Sequence, residues 1–159
     1  MKKRMAYKMM AFLREKKMTL ALAESMTCGL MAHRLGNMPG TTEVLKGGIV
    51  CYDPAVKISL CKVPAGMIEK YSPESQAVTD MLAKNLPQLF DADLFVAVTG
   101  LAAPGGSECP GKPVGSVFLS VNYNGKIYSL NKIFNGTPLE IKKKACKAAY
   151  SMIIDIVGA

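Results

Sequence analysis

The chain has 159 residues, 50% of them hydrophobic, and its 20 Lys and Arg exceed its 12 Asp and Glu, giving a formal net charge of +8. This size and composition suit one domain with a full core, so a single domain over residues 1–159 is expected. With no Trp and no basic run interleaved with aromatic residues, the chain does not favour nucleic acid as a partner. The lysines near both ends fit either the solvated faces of terminal helices or a positive field that attracts a phosphorylated metabolite.

The cysteines indicate which cellular compartment and which kind of site to expect, and the apolar runs indicate whether the chain associates with a membrane. The five cysteines form no C-x-x-C pair, and an odd number argues against a disulfide framework, so a reducing cytoplasm is expected. A single histidine with scattered cysteines does not predict a metal site. No window is long and apolar enough to span a bilayer, and the N-terminus does not resemble a signal peptide, so no membrane association is expected.

Hydrophobic spacing in the first half of the chain predicts helices and strands in alternation. Helices are predicted over residues 3–16, from Leu30 to Gly36 and from Asp53 to Leu60, and strands over residues 18–23 and 44–52. The Asp-Pro pair that opens the third helix supplies an N-cap and a first helical residue.

The second half predicts one more helix, a strand, a hairpin and a terminal helix. These elements are a helix opened by S-P-E at residues 72–74 and ended by Pro87, a buried strand over 93–100, hairpin strands over 116–123 and 126–134, and a helix opened by T-P-L-E that runs through Ile156. Alternating elements followed by a hairpin favour an α/β fold, a three-layer α/β/α sandwich with a central mixed sheet.

Three polar loops leave predicted strands: Glu24 to Gly29, Tyr52 to Lys57, and Gly100 to Gly115. Open α/β sheets bind ligands beyond the carboxyl ends of their strands. We therefore expect the three loops to converge on one site if their strands are parallel neighbours.

The first loop, A-E-S-M-T-C-G, offers Ser25 or Thr27 as a hydroxyl at a helix start, where backbone amides suit an anion or an oxyanion. A serine nucleophile needs a base. His33 lies inside the predicted helix, so we interpret it as an exposed helix residue and not as the base. Lys57 is the natural candidate because the helix dipole and burial lower a lysine pKa, with Tyr52 orienting the amine or relaying the proton. The alternative is that Ser25 is an ordinary turn residue.

Other features near these loops have simpler interpretations. The stretch G-S-E-C-P-G-K at residues 106–112 fits Walker spacing, but Pro113 replaces the magnesium-binding hydroxyl and a strand follows, which excludes a P-loop. The loop is either a phosphate-binding nest or a plain connection. Cys28 and Cys51 flank the site without an activating histidine, so we interpret them as packing residues.

Seven blocks of the sequence, in order, resemble one family. They are A-E-S-M-T-C-G-L, P-G-T-T-E-V-L-K-G-G-I-V-C-Y, V-K-I-S-L-C-K-V-P, S-P-E-S, V-A-V-T-G-L-A-A-P-G-G-S, K-P-V-G-S-V-F and F-N-G-T-P-L-E-I. Over residues 5–157 they are similar to the CinA C-terminal domain, the nicotinamide-mononucleotide deamidase (nicotinamide-nucleotide amidohydrolase) family. The resemblance implies hydrolysis of the carboxamide of nicotinamide mononucleotide to nicotinic acid mononucleotide and ammonia in pyridine nucleotide salvage, with no metal and no cofactor.

The resemblance also implies roles for individual positions. Ser25 falls on the family's nucleophile, and Tyr52 and Lys57 match the tyrosine and lysine of the next block. The implied substrate-binding residues are Glu24, Thr27, Cys28, Gly29, Thr99, Gly100, Ala102, Pro104, Gly105 and Gly106. The oxyanion is expected on the amides of residues 27–29, and the 5′-phosphate near the Gly-rich loop or a basic residue.

Three departures from the family pattern support an alternative, a non-catalytic nucleotide-binding module. Cys28 replaces a glycine, Asp53 replaces a serine, and Pro138 stands where an arginine is common, leaving Lys112 or Lys142 as a substitute for phosphate binding. A third reading, a competence-linked DNA-associated protein, has only the net charge and the family's historical name behind it. An exposed apolar helix face predicts a homo-oligomer, with a dimer favoured.

Overall fold

The computed structural model describes residues 4–158, whose strands form one five-stranded mixed sheet with helices on both faces, confirming the predicted α/β fold. The strands are β1 (Leu20–Glu24), β2 (Leu45–Val50), β3 (Leu94–Gly100), β4 (Ser116–Tyr123) and β5 (Lys126–Ile133). The helices are α1 (Arg4–Glu15), α2 (Leu30–Gly36), α3 (Thr41–Val44), α4 (Pro54–Ser59), α5 (Ala65–Tyr71), α6 (Gln76–Asn85) and α7 (Pro138–Gly158), with a 3₁₀ turn at Leu86–Gln88. Within these residues no helix has the length and apolar character that a membrane span requires.

The strand order is β2-β1-β3-β4-β5. β1 pairs in parallel with both β2 and β3, whereas β4 and β5 add as antiparallel strands. The carboxyl ends of the three parallel strands therefore lie at one edge of the sheet. This arrangement meets the condition under which the three polar loops converge.

Alternation along β1 and β3 sorts their side chains between two cores. Leu20 and Leu22 of β1 pack in the core that α1 and α7 cover, whereas Ala21 and Ala23 pack in the core that α6 covers. Continuing this alternation past the strand end directs Glu24 toward the α7 side and Ser25 toward the α6 side. The adjacent residues Glu24 and Ser25 thus lie on opposite faces of the sheet.

Most predicted boundaries differ from the structure by one or two residues, and two of the differences have a clear structural cause. The S-P-E stretch does not begin a helix: Ser72 ends α5, which the sequence analysis missed, and Ser75 caps α6 by accepting a hydrogen bond from Val78 N–H at 3.3 Å. The strand predicted from residue 44 begins at Leu45 because the preceding residues form α3. The hairpin and the terminal helix form as predicted, and Glu140 closes the capping box by accepting the Thr137 N–H at 2.8 Å.

Candidate active site

Ser25 and Lys57 meet at the carboxyl edge of the sheet. Lys57 Nζ lies 3.0 Å from Ser25 Oγ, across 32 residues of sequence. Ser25 is 3% exposed and Lys57 is 0% exposed, so the contact is shielded from bulk water. The structure therefore brings together the two side chains that the sequence analysis selects as nucleophile and base.

Ser25 is held by the sheet on both sides. Its N–H donates to the Val98 carbonyl of β3 at 3.0 Å, and on the other side Cys51 N–H donates to the Glu24 carbonyl at 2.8 Å. These bonds extend the parallel ladders one residue beyond the end of β1. The serine is thus fixed by backbone contacts to two neighbouring strands.

Lys57 is held by α4 and by two backbone carbonyls. Asp53 caps α4 by accepting the Ala55 N–H at 2.7 Å, with Pro54 at the first helical position, as predicted. The Lys57 amine donates to the carbonyl oxygens of Cys51 at 2.6 Å and Tyr52 at 3.2 Å. α4 therefore supplies the lysine, and the short loop between β2 and α4 binds its amine.

Burial lowers the pKa of the Lys57 amine below its ordinary value. Four acidic or thiol groups, acting through their charges, oppose this shift: Cys51, Glu74, Cys61 and Asp53. Asp53, the departure expected to blunt the base, is the last of these causes, and its carboxylate is engaged in capping α4. Desolvation is the largest cause, and its net effect is a pKa for this amine below the ordinary lysine value.

The Tyr52 side chain does not join this contact. Its side chain is 64% exposed, and it is the carbonyl oxygen of this residue that accepts a hydrogen bond from the lysine. His33 is exposed on α2, where Asn37 bonds its carbonyl oxygen at 2.7 Å. The orienting function expected of the tyrosine ring is thus performed by the backbone.

Glu24 is oriented toward α2. Its buried carboxylate accepts the N–H groups of Met31 at 3.0 Å and Ala32 at 2.7 Å. These bonds occupy amides at the start of α2 that would otherwise be available to an anion. The structure therefore places this residue as a cap for the helix that follows Ser25.

The turn between Ser25 and α2 presents the expected oxyanion site only in part. Cys28 N–H donates to the Ser25 carbonyl at 3.0 Å, whereas within the described residues the N–H groups of Thr27 and Gly29 have no hydrogen-bond partner. The Thr27 hydroxyl is also buried, with no hydrogen-bond partner among the described residues. Two amides and one hydroxyl of the turn that follows Ser25 thus have no partner in this part of the chain.

Cys28 differs from the packing residue that was predicted. It is exposed and has φ of +51°, a left-handed conformation in which glycine carries no steric cost. Cys51, by contrast, is a buried free thiol that donates to the Glu24 carbonyl at 3.6 Å. A hydrogen bond between the Cys51 and Cys61 thiols raises the pKa of Cys51 and lowers that of Cys61. Of the two flanking cysteines, only Cys51 packs in the core.

The Gly-rich loop begins with a buried contact. The Thr99 hydroxyl lies 2.8 Å from the Thr79 hydroxyl of α6, so it is paired within the protein. Gly105 N–H donates to the Glu108 carboxylate at 2.6 Å, and hydrogen bonds from backbone amides, that of Gly105 first, lower the pKa of Glu108. The loop therefore already holds an anion of its own chain. Of the other expected substrate contacts, Ala102 packs on the core and Pro104, Gly105 and Gly106 are exposed.

Lys112 ties the loop to the turn before α6. Its amine donates to Ser107 Oγ at 2.7 Å, to the Glu74 carbonyl at 3.0 Å and to the Ser72 hydroxyl. An ammonium has three N–H donors, so these bonds account for all of them. The candidate phosphate-binding lysine is thus committed to internal contacts.

Glu74 and Thr79 are residues of this site that the sequence analysis missed. Glu74 acts on Lys57 through its charge, and its carboxylate accepts a hydrogen bond from Ser107. The S-P-E stretch was interpreted as a helix start and as part of a block that resembles the family, with no role for Glu74, and the contact depends on how α6 packs against the sheet. No local pattern contains that information.

Comparison with known proteins identifies relatives by sequence. The model of the CinA C-terminal domain family matches residues 2–157. A "CinA-like protein" of Petrotoga mobilis is 36% identical over 140 residues, which cover 87% of this chain and 34% of that protein. A "Putative competence-damage inducible protein" of Moorella thermoacetica is 32% identical over 143 residues, 90% of this chain and 34% of that protein. The chain spans about a third of the length of these curated relatives.

Solved structures resemble the whole chain. The competence damage-inducible protein A from Klebsiella pneumoniae superposes with a TM-score of 0.93 at 25% identity, covering 99% of this chain and 97% of that one. The competence/damage inducible protein from Agrobacterium tumefaciens gives a TM-score of 0.91 at 26% identity, covering 98% and 95%.

Proposed function

The chain belongs to the CinA C-terminal domain family, and we propose that it hydrolyses the carboxamide of nicotinamide mononucleotide to nicotinic acid mononucleotide and ammonia. The observation that carries this proposal is the buried contact of 3.0 Å between Lys57 Nζ and Ser25 Oγ. A serine beside a desolvated lysine is a nucleophile with its base, which is the equipment that amide hydrolysis needs without a metal.

The hydrogen bonds around the amine suit the base role. A neutral amine has two N–H groups and one lone pair, and the carbonyl oxygens of Cys51 and Tyr52 can only accept. When both N–H groups point at these carbonyls, the lone pair faces Ser25 Oγ. The serine O–H then donates to Lys57, which is the geometry for proton removal.

The reaction proceeds through an acyl-enzyme. Ser25 attacks the carboxamide carbon while Lys57 takes the hydroxyl proton, and the free amides of Thr27 and Gly29 stabilise the oxyanion. The protonated lysine then gives its proton to the amide nitrogen, and ammonia leaves as the carbonyl re-forms. Water attacks the ester with Lys57 again as base, which releases the carboxylic acid and restores the serine.

A non-catalytic nucleotide-binding module is the second candidate, and Cys28 is the observation that favours it. This side chain projects from the turn that bears the free amides, at a position whose left-handed backbone suits glycine. In this reading the nucleotide binds and the carboxamide is not cleaved.

The test is ammonia release from nicotinamide mononucleotide, nicotinamide riboside and NAD, measured side by side. We expect turnover of the mononucleotide by the natural chain and a loss on the order of a thousandfold or more in Ser25→Ala, because the nucleophile is removed. Calorimetric binding without ammonia release would support the binding module. Full activity in Ser25→Ala would end the proposed role of the serine.

A further inference from the structure

Glu74 lies at the same edge and on the same side of the sheet as the Ser25–Lys57 contact. It directly precedes Ser75, the N-cap of α6. The Thr79 hydroxyl in the first turn of that helix is 2.8 Å from Thr99, near the carboxyl end of β3. Because Thr99 and Ser25 point to the α6 side of the sheet, the start of α6 lies beside the proposed active site.

The Glu74 carboxylate is fixed in position with one oxygen open. Ser107 donates to Oε2, and the Glu74 carbonyl accepts from Lys112. Within the described residues the Oε1 atom of Glu74 has no hydrogen-bond partner. Glu74 forms no ion pair with them either, because the one ion pair in this part of the chain joins Arg14 to Glu43. The side chain is only partly buried, so a ligand can reach this oxygen.

Carboxylates act on the proposed base, although the chain as a whole carries +8 and the Lys112 ammonium binds the Glu74 carbonyl and Ser107. Glu74 and Asp53 both act on Lys57 through their charges, and both stabilise a cation there. Amides at the start of α2 and in the Gly-rich loop already bind the carboxylates of Glu24 and Glu108, so the unpartnered amides near Ser25 are those of Thr27 and Gly29. The Glu74 carboxylate is thus one of the charges at this edge of the sheet that favour a cation beside Lys57.

We infer that Glu74 is a specificity-determining residue whose carboxylate selects a carboxamide on a positively charged pyridinium ring over the same carboxamide on a neutral ring. The inference rests on the proposed function, which places the ring beside Ser25. Nicotinamide mononucleotide carries its positive charge on that ring, and its reduced dihydropyridine form has the same carboxamide, ribose and phosphate without it. A carboxylate several ångströms away in a partly screened site changes binding on the order of tenfold.

The experiment compares these two ligands by calorimetry on the Ser25→Ala protein, which does not turn them over. We expect the oxidised, cationic ligand to bind about tenfold more tightly than the reduced one. Adding Glu74→Gln, which keeps the shape and removes the charge, should bring the two affinities to within about twofold. Asp155→Asn removes an exposed carboxylate of α7, on the opposite side of the sheet. This control should retain the preference.

Equal binding of the two ligands to Ser25→Ala, binding of neither, or an unchanged preference after Glu74→Gln would overturn the inference. Glu74→Ala replaces the glutamine variant if circular dichroism shows that the latter is unfolded. Ammonia release by the natural chain is measured separately. Preference without turnover supports the role of Glu74 and contradicts the proposed function, whereas turnover without preference contradicts the role of Glu74 alone.

Discussion

Lys57 is an amine placed where water does not reach it, and burial lowers its pKa. Burying a charged amine is costly unless it is paired, and within residues 4–158 no carboxylate is in hydrogen-bond contact with this one. The sequence analysis predicted the lysine as base from its residue type and its place at a helix start. It assigned the orienting role to the Tyr52 ring, because a backbone carbonyl leaves no signal in the residue types.

The pH dependence of the reaction follows from this burial. The neutral amine is the active base, so kcat/KM for ammonia release should rise with pH as Lys57 loses its proton. Because burial lowers the pKa, the midpoint should lie below the ordinary lysine value of 10.5. A pH–rate profile measures it. A limb centred at or above 10.5, or an identical limb in Lys57→Met, would contradict the assignment.

The order of the strands determines where the site lies. Because β1 has a parallel neighbour on each side, the loops that follow β1, β2 and β3 meet at one edge of the sheet. Continuous apolar runs predicted the strands, but strand order arises from packing between distant segments, and the sequence left it open. α5 was missed because it is short, contains Gly66 and has no buried residue to mark a periodic face. Missing α5 also led to the error at S-P-E, which was predicted to begin a helix. In the structure Ser72 ends α5, and Ser75 is the N-cap of α6.

Gly100 is the last residue of β3 and the first residue of the Gly-rich loop. Its φ is +153°, and an added Cβ would lie 2.4 Å from the Ser116 carbonyl oxygen and 3.0 Å from Val117 Cα. We expect Gly100→Ala to lower the free energy of unfolding by roughly 2 kcal/mol or more, because both contacts are with backbone. Gly66 lies in α5, where an added Cβ would meet no atom of the described residues within 4 Å. Gly66→Ala should therefore leave the free energy of unfolding unchanged or raise it by up to about 1 kcal/mol. Urea unfolding compares the two, and similar effects would contradict the argument.

At the scale of the whole molecule, exposed apolar side chains gather beside the site. Val50, Tyr52, Ile58 and Leu60 are four of the large hydrophobic residues that remain exposed, and all lie within 11 residues along β2, α4 and their flanks. Because β2 is an edge strand, this surface is open to a partner. We propose that it is the contact of the homodimer that the sequence analysis favours.

Sedimentation velocity tests the dimer. The natural chain should sediment at twice the monomer mass, and Ile58→Lys should shift it toward the monomer because a buried charge opposes association. Leu139→Lys adds the same charge at an exposed residue of α7 and should leave the dimer intact. A monomer at tens of micromolar would refute the proposal.

The most direct test of the central claim is a double-mutant cycle on ammonia release from nicotinamide mononucleotide, using Ser25→Ala, Lys57→Met and the double variant. If the two side chains act as one unit, each single change should reduce kcat/KM on the order of a thousandfold or more, and the double variant should be no slower than the slower single variant. Losses that multiply in the double variant, or a single variant that keeps most of the activity, would show that Ser25 and Lys57 do not form a catalytic pair.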